Sequence, residues 1–471
     1  MRNKTIALPR VLSLSPVTLI VAPALALATL FGWALAEEHW IIFAAFTLVA
    51  LVPIFVQWPI VSTFGVYVLL VPLFDTVPYV VAGMTVIKPV SILATAILAA
   101  AGLIERRFNP PPRAALAWGL FVAWGLLSAV WALNPDLVFA RMPTVLNLFV
   151  LYFVAVCIRL SRKELYSVCM LAVIGGVIAA ALVYFNGPEG FNGPEGPSSV
   201  SPRGSLVIGG VAANPNGVGG ALILPLALAV AGVVGLRSMV QKTIALACVC
   251  LMGVGIFITI SRGALVGMLA TIAVLAYRLQ VRMHIVVVMI GLVALTATMP
   301  DAFYDRVGAV VTGEDSTGSG RTEIWQAGFE ALRRFGILGA GLDNFPAVHR
   351  IYVTQGPKPN AMGAHNIYLL AWVELGIFGL AMMLAAAGGH LLSVRRVRRA
   401  GNKEIILAAL EGACFGVLAL SLFADLLWTK FFWLPWILVT WAMSCDRQEK
   451  DAAFRGGSIS LDASLKRLGV G

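Results

Sequence analysis

The sequence predicts an all-α, polytopic membrane protein, because its composition and its apolar runs both exceed what a soluble protein carries. Of the 471 residues, 59% are hydrophobic and 12% are charged, whereas soluble proteins carry roughly 25% charged residues. Apolar runs recur along nearly the whole chain, each close to the ~20 residues that a helix needs to cross a bilayer. Backbone groups in lipid must be hydrogen-bonded internally, and these runs lack the alternation of a β-barrel, so helices are expected.

The apolar runs predict 12 to 14 transmembrane helices, with 14 as the best count. Prolines interrupt the runs between residues 39 and 104, which is where the lower counts arise. With 14 helices, both termini face the cytoplasm and the first helix is retained as a membrane segment. The predicted spans are 15–35, 39–56, 59–75, 85–104, 114–132, 143–158, 165–185, 206–236, 243–259, 263–278, 284–299, 365–393, 404–422 and 426–443.

The net charge of +11 comes from basic residues that cluster between alternate apolar runs. This placement is the positive-inside pattern of membrane proteins, so it indicates a lipid bilayer as partner and no nucleic acid. The six cysteines lie in or beside apolar runs, and we predict no disulfide and no metal site. The basic clusters are Arg106-Arg107 with Arg113, Arg159 to Lys163, Arg237 with Lys242, Arg278 with Arg282, and Arg395 to Arg399 with Lys403.

The same count divides the chain into four parts: N-terminal helices over 1–299, one large outer loop over 300–364, C-terminal helices over 365–444 and a cytoplasmic tail over 445–471. Within the large loop, residues 321–335 predict a short amphipathic helix. Its apolar residues fall at helical spacing on one side: Ile324, Trp325, Phe329, Leu332 and Phe335. Two shorter segments between predicted helices, 133–142 and 186–205, are expected to face outward and not to be simple connections. The second contains a tandem Phe-Asn-Gly-Pro-Glu-Gly repeat, whose glycines and prolines predict turns.

Three basic residues at the outer side are candidates for chemistry. Arg262 lies in a short turn between two apolar runs, where topology needs no positive charge; an arginine at membrane depth costs about 2.5–3.5 kcal/mol and indicates function by default. Arg321 begins the loop helix, whose N-terminus favours anions. His365 opens the next apolar run and has a side chain suited to act as a base near neutral pH. The alternatives are a snorkelling Arg262, a solvated Arg321 and a His365 satisfied by solvent or a carbonyl.

A further polar group interrupts the predicted span 206–236. It comprises Arg203 just outside the apolar segment and Asn214-Pro215-Asn216 within it. A broken membrane helix often lines a cavity, so this group is a candidate for substrate binding, together with Asn366 beside His365. The alternative is a kinked helix with capping asparagines.

In these residues the chain resembles the O-antigen ligase and Wzy-type polymerase superfamily. The matching pieces occur in order over residues 200–380: Arg203-Gly204 with Asn214-Pro-Asn216, Ser261-Arg262-Gly263, Gly320-Arg321-Thr-Glu-Ile-Trp325, Gly339-Ala-Gly341 with Asn344-Phe345, and His365-Asn366 followed by Gly376-Ile-Phe-Gly379. The last piece is similar to the ligase family's His-Asn…Gly-x-x-Gly signature. The family's ligases resemble 12-helix proteins, two fewer than the best count here.

The resemblance implies a metal-independent glycosyltransferase of the bacterial inner membrane, with a periplasmic active site and no cofactor. The donor would be an undecaprenyl-pyrophosphate-linked glycan, whose pyrophosphate Arg262 and Arg321 would bind while His365 acts as base or positions the acceptor. An O-antigen ligase, with lipid A–core as acceptor, is the first expectation. The alternatives are a Wzy-type polymerase that extends a growing polysaccharide, a protein glycosyltransferase and, from a different class, a polysaccharide transporter or flippase.

Overall fold

A computed structural model describes residues 57–75, 80–81, 84–85, 87–186, 204–208, 211–280, 321–353, 363–399, 401 and 404–447. Nearly all of these residues are helical, and eight helices among them are long and apolar enough to cross a membrane. The all-α polytopic fold is therefore confirmed, whereas the count of 14 is not. The predicted spans 15–35, 39–56 and 284–299 lie outside the described residues, as does the tandem repeat after its first two residues.

The described helices follow one another with short connections. Two antiparallel hairpins of two-residue strands, β1–β2 and β3–β4, are the strands of the described part. A single 3₁₀ turn, Ser128–Val130, follows α3. In chain order the elements are α1 Pro59–Phe74, β1 Val80–Val81, β2 Met84–Thr85, α2 Ile87–Ile104, α3 Arg113–Leu127, α4 Pro135–Cys157, α5 Arg162–Asn186, β3 Val207–Ile208, β4 Val211–Ala212, α6 Pro215–Ala221, α7 Ile223–Gly235, α8 Met239–Ile258, α9 Arg262–Leu279, α10 Arg321–Phe335, α11 Phe345–Tyr352, α12 Ile367–Arg399, α13 Ile405–Leu420 and α14, 430–447.

Two predicted boundaries are wrong because of local proline chemistry. The segment 133–142 is not a loop: Asn134 accepts the N–H of Asp136 at 3.0 Å and Pro135 begins α4. A proline at the first helical position costs nothing, since its missing N–H has no helical partner there. The predicted single helix over 206–236 is instead the β3–β4 hairpin followed by α6 and α7.

The bundle has two chemically different ends. The first, which we call the basic end, joins the helix termini that carry the basic clusters through ion pairs. Arg107 contacts Glu164 at 2.7 Å, and Arg162 contacts Glu404 at 2.9 Å. The second, which we call the loop end, contains the turn before Arg262 and residues 336–345, 363–366 and 421–429. The ion pairs of the basic clusters thus lie at one end, and the candidate chemistry lies at the other.

The longest helix, α12, is broken. Gly376 has φ 69° and ψ −172°, which no helical residue adopts. Here the backbone pairs with the chain that follows α10: Ala340 N–H donates to Val373 O at 2.9 Å, and Ile377 N–H donates to Gly336 O at 2.9 Å. The helical hydrogen bonds lost at the break are thereby replaced by bonds to the loop segment.

Two contacts to α13 show how strongly α12 bends. Ile367 N–H donates to Ser421 O at 3.0 Å, just after α13 ends, and Arg398 Nε pairs with Glu411 Oε2 at 2.9 Å, near its start. Residues 411 and 421 lie about 15 Å apart on a helix, and the two contacts add at most roughly 20 Å. A straight helix would hold residues 367 and 398 about 46 Å apart.

The first turns of α12 therefore fold over the loop end, instead of continuing the membrane helix. The second part, 377–399, still measures about 34 Å, which is enough to cross a bilayer. The bend brings His365, directly before α12, to the end of α13.

The core is aromatic, and the histidine buried within it is paired. Trp118 packs against Trp433 with ring centroids 4.8 Å apart. Deep in the bundle, the Tyr152 hydroxyl hydrogen-bonds His390 Nε2 at 2.7 Å, and Thr440 approaches the other ring nitrogen at 3.3 Å. Such pairing is what a membrane interior requires of a buried histidine.

Candidate functional site

His365 occupies a strained turn at the loop end. Its φ of 49° lies in the left-handed region, which side chains other than glycine, asparagine and aspartate rarely adopt. The following N–H groups are held from the segment after α13: Asn366 N–H donates to Asp425 Oδ1 at 3.1 Å, and Ile367 N–H donates to Ser421 O. Strained backbone that the surrounding structure maintains is common at functional sites.

Three titratable side chains interact at this turn. Asp425 and Arg321 both act electrostatically on His365, one from the segment after α13 and the other from α10. Burial lowers the pKa of His365 below its ordinary 6.5; the Asp425 charge opposes this and the Arg321 charge reinforces it. Burial also raises the pKa of Asp425, against the opposing charges of His365 and Arg321. The imidazole is therefore neutral at pH 7 and able to accept a proton.

The loop helix α10 has the bounds 321–335 that the sequence predicts, and it lies along the first turns of α12. Trp325 Nε1 donates to Ala364 O at 3.0 Å, and Gly328 packs against Leu369. This alignment places Arg321, the first residue of α10, beside His365. Phe329 departs from the predicted apolar side: it is 58% exposed, whereas Ile324 is buried.

The segment after α10 is tied to α12 and to the start of α4. Glu374 of α12 accepts the Phe345 N–H at 3.0 Å and so caps α11. Asp343, with a left-handed φ of 61°, pairs with Arg141 of α4. Asn344 exchanges two hydrogen bonds with the backbone of Asn134, at 2.8 and 3.1 Å. Arg141, which lacked any pattern in the sequence, thus has a structural partner.

Arg262 is the first residue of α9, and its side chain is exposed. Before it, Ile260 has a left-handed φ of 48°, and Ser261 caps α9 by accepting the Ala264 N–H at 3.3 Å. Gly263 packs so closely on the end of α13 that a Cβ would lie 2.9 Å from both Leu420 and Phe423. Arg262 therefore begins its helix against the segment that carries Asp425.

The predicted substrate-binding asparagines lie at this end, and two of them cap helices. Asn214 Oδ1 accepts the Asn216 N–H at 2.9 Å at the start of α6, while Asn366 Oδ1 accepts the N–H groups of Tyr368 and Leu369 at 2.9 and 3.1 Å. Because its side-chain oxygen already accepts these two bonds, Asn366 would contact a ligand through its amide nitrogen. Arg203 lies outside the described residues.

The α6 helix brings the asparagine group towards Arg262. Gly219 of α6 leaves room for only a hydrogen atom: a Cβ there would lie 2.6 Å from Ala264 and 3.1 Å from the Thr259 hydroxyl. The backbone of Gly204 is held at the end of α8, where its N–H donates to Ile258 O at 3.0 Å. The segments around 204, 214 and 262 therefore form one continuous part of the loop end.

Asp425 is the residue that the sequence does not single out. It follows His365 by 60 positions in a short polar break between two apolar runs, and no spacing connects the two. The one available signal is a carboxylate at the outer edge of a membrane segment, where an unpaired charge is costly.

The part of the sequence that forms most of this site is similar to a known protein family. Residues 247–384 match the Wzy_C family, described as O-antigen ligase. This part of the chain is thus similar to the O-antigen ligase family. The matched range includes Arg262, Arg321 and His365, while Asn214 and Asp425 lie outside it.

Comparison with curated proteins gives no match to the chain. A solved structure described as "Structural coordination of polymerization and crosslinking by a peptidoglycan synthase complex" contains a chain that is 16% identical to this one, with a TM-score of 0.40. The superposition covers 72% of this chain and 98% of that chain. A likeness of this size carries no conclusion about fold or activity.

Proposed function

We propose that this protein is an inner-membrane glycosyltransferase that moves a glycan from undecaprenyl pyrophosphate to an acceptor hydroxyl, as an O-antigen ligase acting on lipid A–core. The observation that carries the proposal is the approach of Arg321 to a neutral His365 at the loop end, within a Wzy_C domain. This combination joins a fixed positive charge for a phosphate group to a base for a hydroxyl group.

The reaction that these groups support is a displacement at the anomeric carbon. The acceptor hydroxyl gives its proton to His365 while its oxygen forms a bond to the anomeric carbon. The bond from that carbon to the pyrophosphate oxygen breaks, and undecaprenyl pyrophosphate leaves with the electron pair. Arg321 and Arg262 stabilise the negative charge that develops on the leaving group, because fixed cations need no reorganisation when the charge appears.

The distribution of basic residues supports a periplasmic site. The described residues of the basic clusters, from Arg106 to Arg399, lie at the basic end, and the positive-inside rule assigns that end to the cytoplasm. The loop end then faces the periplasm, where lipid-linked glycans of this kind would be joined.

The distribution of charge also favours an enzyme over a transporter. A translocation path predicts charged groups near mid-membrane in several helices. Among the described residues, Asp75 and Lys430 pair at helix ends, and Arg278, which pairs with Glu411 of α13, lies in the last turn of α9. The polar side chains deeper in the described bundle, such as Tyr152 and His390, pair with one another.

The test is transfer by the purified protein in lipid nanodiscs. Lipid-linked O-antigen is supplied with or without lipid A–core, and both undecaprenyl pyrophosphate and the glycosylated product are measured, with and without a chelator. We expect release that depends on lipid A–core and resists the chelator. Extension of lipid-linked repeats without lipid A–core would replace the ligase proposal by a polymerase, and absence of any transfer would remove both.

Two substitutions separate binding from chemistry. H365A should lower the transfer rate by roughly 10²–10⁴-fold while donor binding is retained, because only the base is lost. R321A should weaken donor binding by roughly 10–100-fold, the value of a hydrogen bond to a charged group. R333A, at an exposed position on the same helix, is the matched control and should leave both unchanged.

A further inference from the structure

We propose that Asp425 is a positioning residue for glycan transfer: its carboxylate holds the turn that presents His365 and stabilises the imidazolium formed when His365 takes the acceptor's proton. This inference rests on the proposed function. It concerns a residue outside the matched family domain, and it assigns two separable roles to one carboxylate, one structural and one electrostatic.

The structural role follows from the contacts of Asp425 with the backbone before α12. The carboxylate accepts the N–H groups of His365 and Asn366, the second at 3.1 Å. It also lies directly against Gly363, where a Cβ would stand 2.4 Å from Oδ2. The Asp425 side chain therefore contacts three residues of this turn, Gly363, His365 and Asn366.

The N–H groups at the start of α12 are fully accounted for by this arrangement. Asp425 takes those of residues 365 and 366, Ser421 O takes that of residue 367, and Asn366 Oδ1 takes those of residues 368 and 369. A helix N-terminus otherwise leaves its first donors unsatisfied. Because the left-handed backbone of His365 is intrinsically unfavourable, it needs support, and the two bonds to Asp425 provide it together with the bonds of Ile367 N–H and Ala364 O.

The electrostatic role follows from the charges around the imidazole. Among the described residues, the charged groups that act on His365 are Asp425 from the segment after α13 and Arg321 from α10. When His365 is protonated, Arg321 repels the imidazolium and Asp425 attracts it. Asp425 thus offsets the effect of Arg321 on His365, and Arg321 can remain close to the base to bind the leaving pyrophosphate.

The loop end contains a second carboxylate that provides a matched control. Asp75, after α1, accepts the N–H groups of Lys430 and Phe431 at 2.6 and 3.2 Å, and pairs with Lys430 Nζ at 2.8 Å. Asp75 thus caps α14 as Asp425 holds the start of α12. Among the charges that act on His365 from the described residues, however, only Asp425 is a carboxylate.

The experiment compares D425N, D425E and D75N in the nanodisc transfer assay over pH 5–8. D425N keeps one side-chain oxygen as an acceptor for the turn and loses the negative charge. We expect its transfer rate at neutral pH to fall roughly 10–100-fold with an unchanged KM for the donor. The acid limb of its pH–rate profile should also move to lower pH, because the imidazolium of His365 loses its counter-charge. D425E should return the limb towards the wild-type position. D75N should lower thermal stability and leave the limb in place.

The His365 titration is also read directly by NMR on histidine-labelled protein, with H365Q to assign the resonance. A lower imidazole pKa in D425N than in wild type supports the proposal even where no transfer is detected, so failure of the proposed function is distinguishable from failure of this inference. Identical imidazole titrations in wild type, D425N and D75N would overturn it. So would a D425N enzyme with wild-type rate and wild-type acid limb.

Discussion

Replacement of Gly376 by alanine should uncouple His365 from the rest of the site. The added Cβ would lie 2.0 Å from Ile337 O and 2.5 Å from the carbonyl carbon of the same residue, both of them backbone atoms. The φ of 69° with ψ −172° lies in a region that is essentially restricted to glycine. Neither the side chain nor the backbone can therefore relax without a shift of the segment 336–341.

The expected magnitude has two parts. Backbone strain costs about 1–3 kcal/mol, and forcing an additional methyl group into a packed position costs about 1–3 kcal/mol more. The displacement acts on the bond from Ile377 N–H to Gly336 O, and so on the bend that brings the first turns of α12 to α13. A misplacement of 1 Å at the reacting groups can lower a rate by about 10²-fold.

The assay measures glycan transfer and thermal unfolding in parallel, with G388A as the matched control. Gly388 lies on the same helix, and a Cβ there would meet nothing within 4 Å. G388A should be as stable as wild type or about 0.5–1 kcal/mol more stable, since alanine is the better helix former. If G376A retained the stability and the transfer rate of G388A, the argument that the kink positions His365 would be refuted.

Two further outcomes follow from the described contacts. For the wild-type protein, the transfer rate should be maximal at pH 7 and should be lost as the pH falls through a value below 6.5. The reason is that burial and Arg321 lower the pKa of His365, and only the neutral imidazole accepts a proton. A rate that already declines above pH 7 on acidification would contradict this. K430M should lower the free energy of unfolding by about 3–5 kcal/mol, because it leaves the buried Asp75 without its ion partner. The control is K163M at an exposed position, which should lower the free energy of unfolding by less than about 1 kcal/mol. Equal melting curves for the two variants would contradict a stabilising role of the buried pair.

Local chemistry made part of the loop end predictable. The helix over 321–335 follows from its apolar spacing and its terminal glycines, and the structure gives it the same bounds. The start of α9 at Arg262, close to the predicted 263, is equally local, because Ser261 is a favourable capping residue. Such features depend on residues within about four positions of each other, which a sequence displays directly.

Other features depend on contacts between distant segments. The predicted helix 365–393 is apolar throughout, and hydropathy does not distinguish a straight helix from one broken at Gly376. The break is stabilised by bonds to residues 336–341, some 35 positions earlier in the chain. Phe329 is apolar and at an acceptable helical spacing, yet it is exposed because the partner of α10 lies on the opposite side.

The sequence by itself determined that this chain is a helical membrane protein, that its basic residues collect at one end and that Arg262, Arg321 and His365 are candidates for one site. These properties depend on composition and on short spacings, to which lipid and helix geometry respond directly. Only the tertiary structure decided that Arg321 and Asp425 act on His365, because α10 and the end of α13 meet over a bend that no local pattern encodes. The described part of the large loop is accordingly positioned by the contacts of Glu374 and Asn344 with the bundle, as well as by the packing of its own helix.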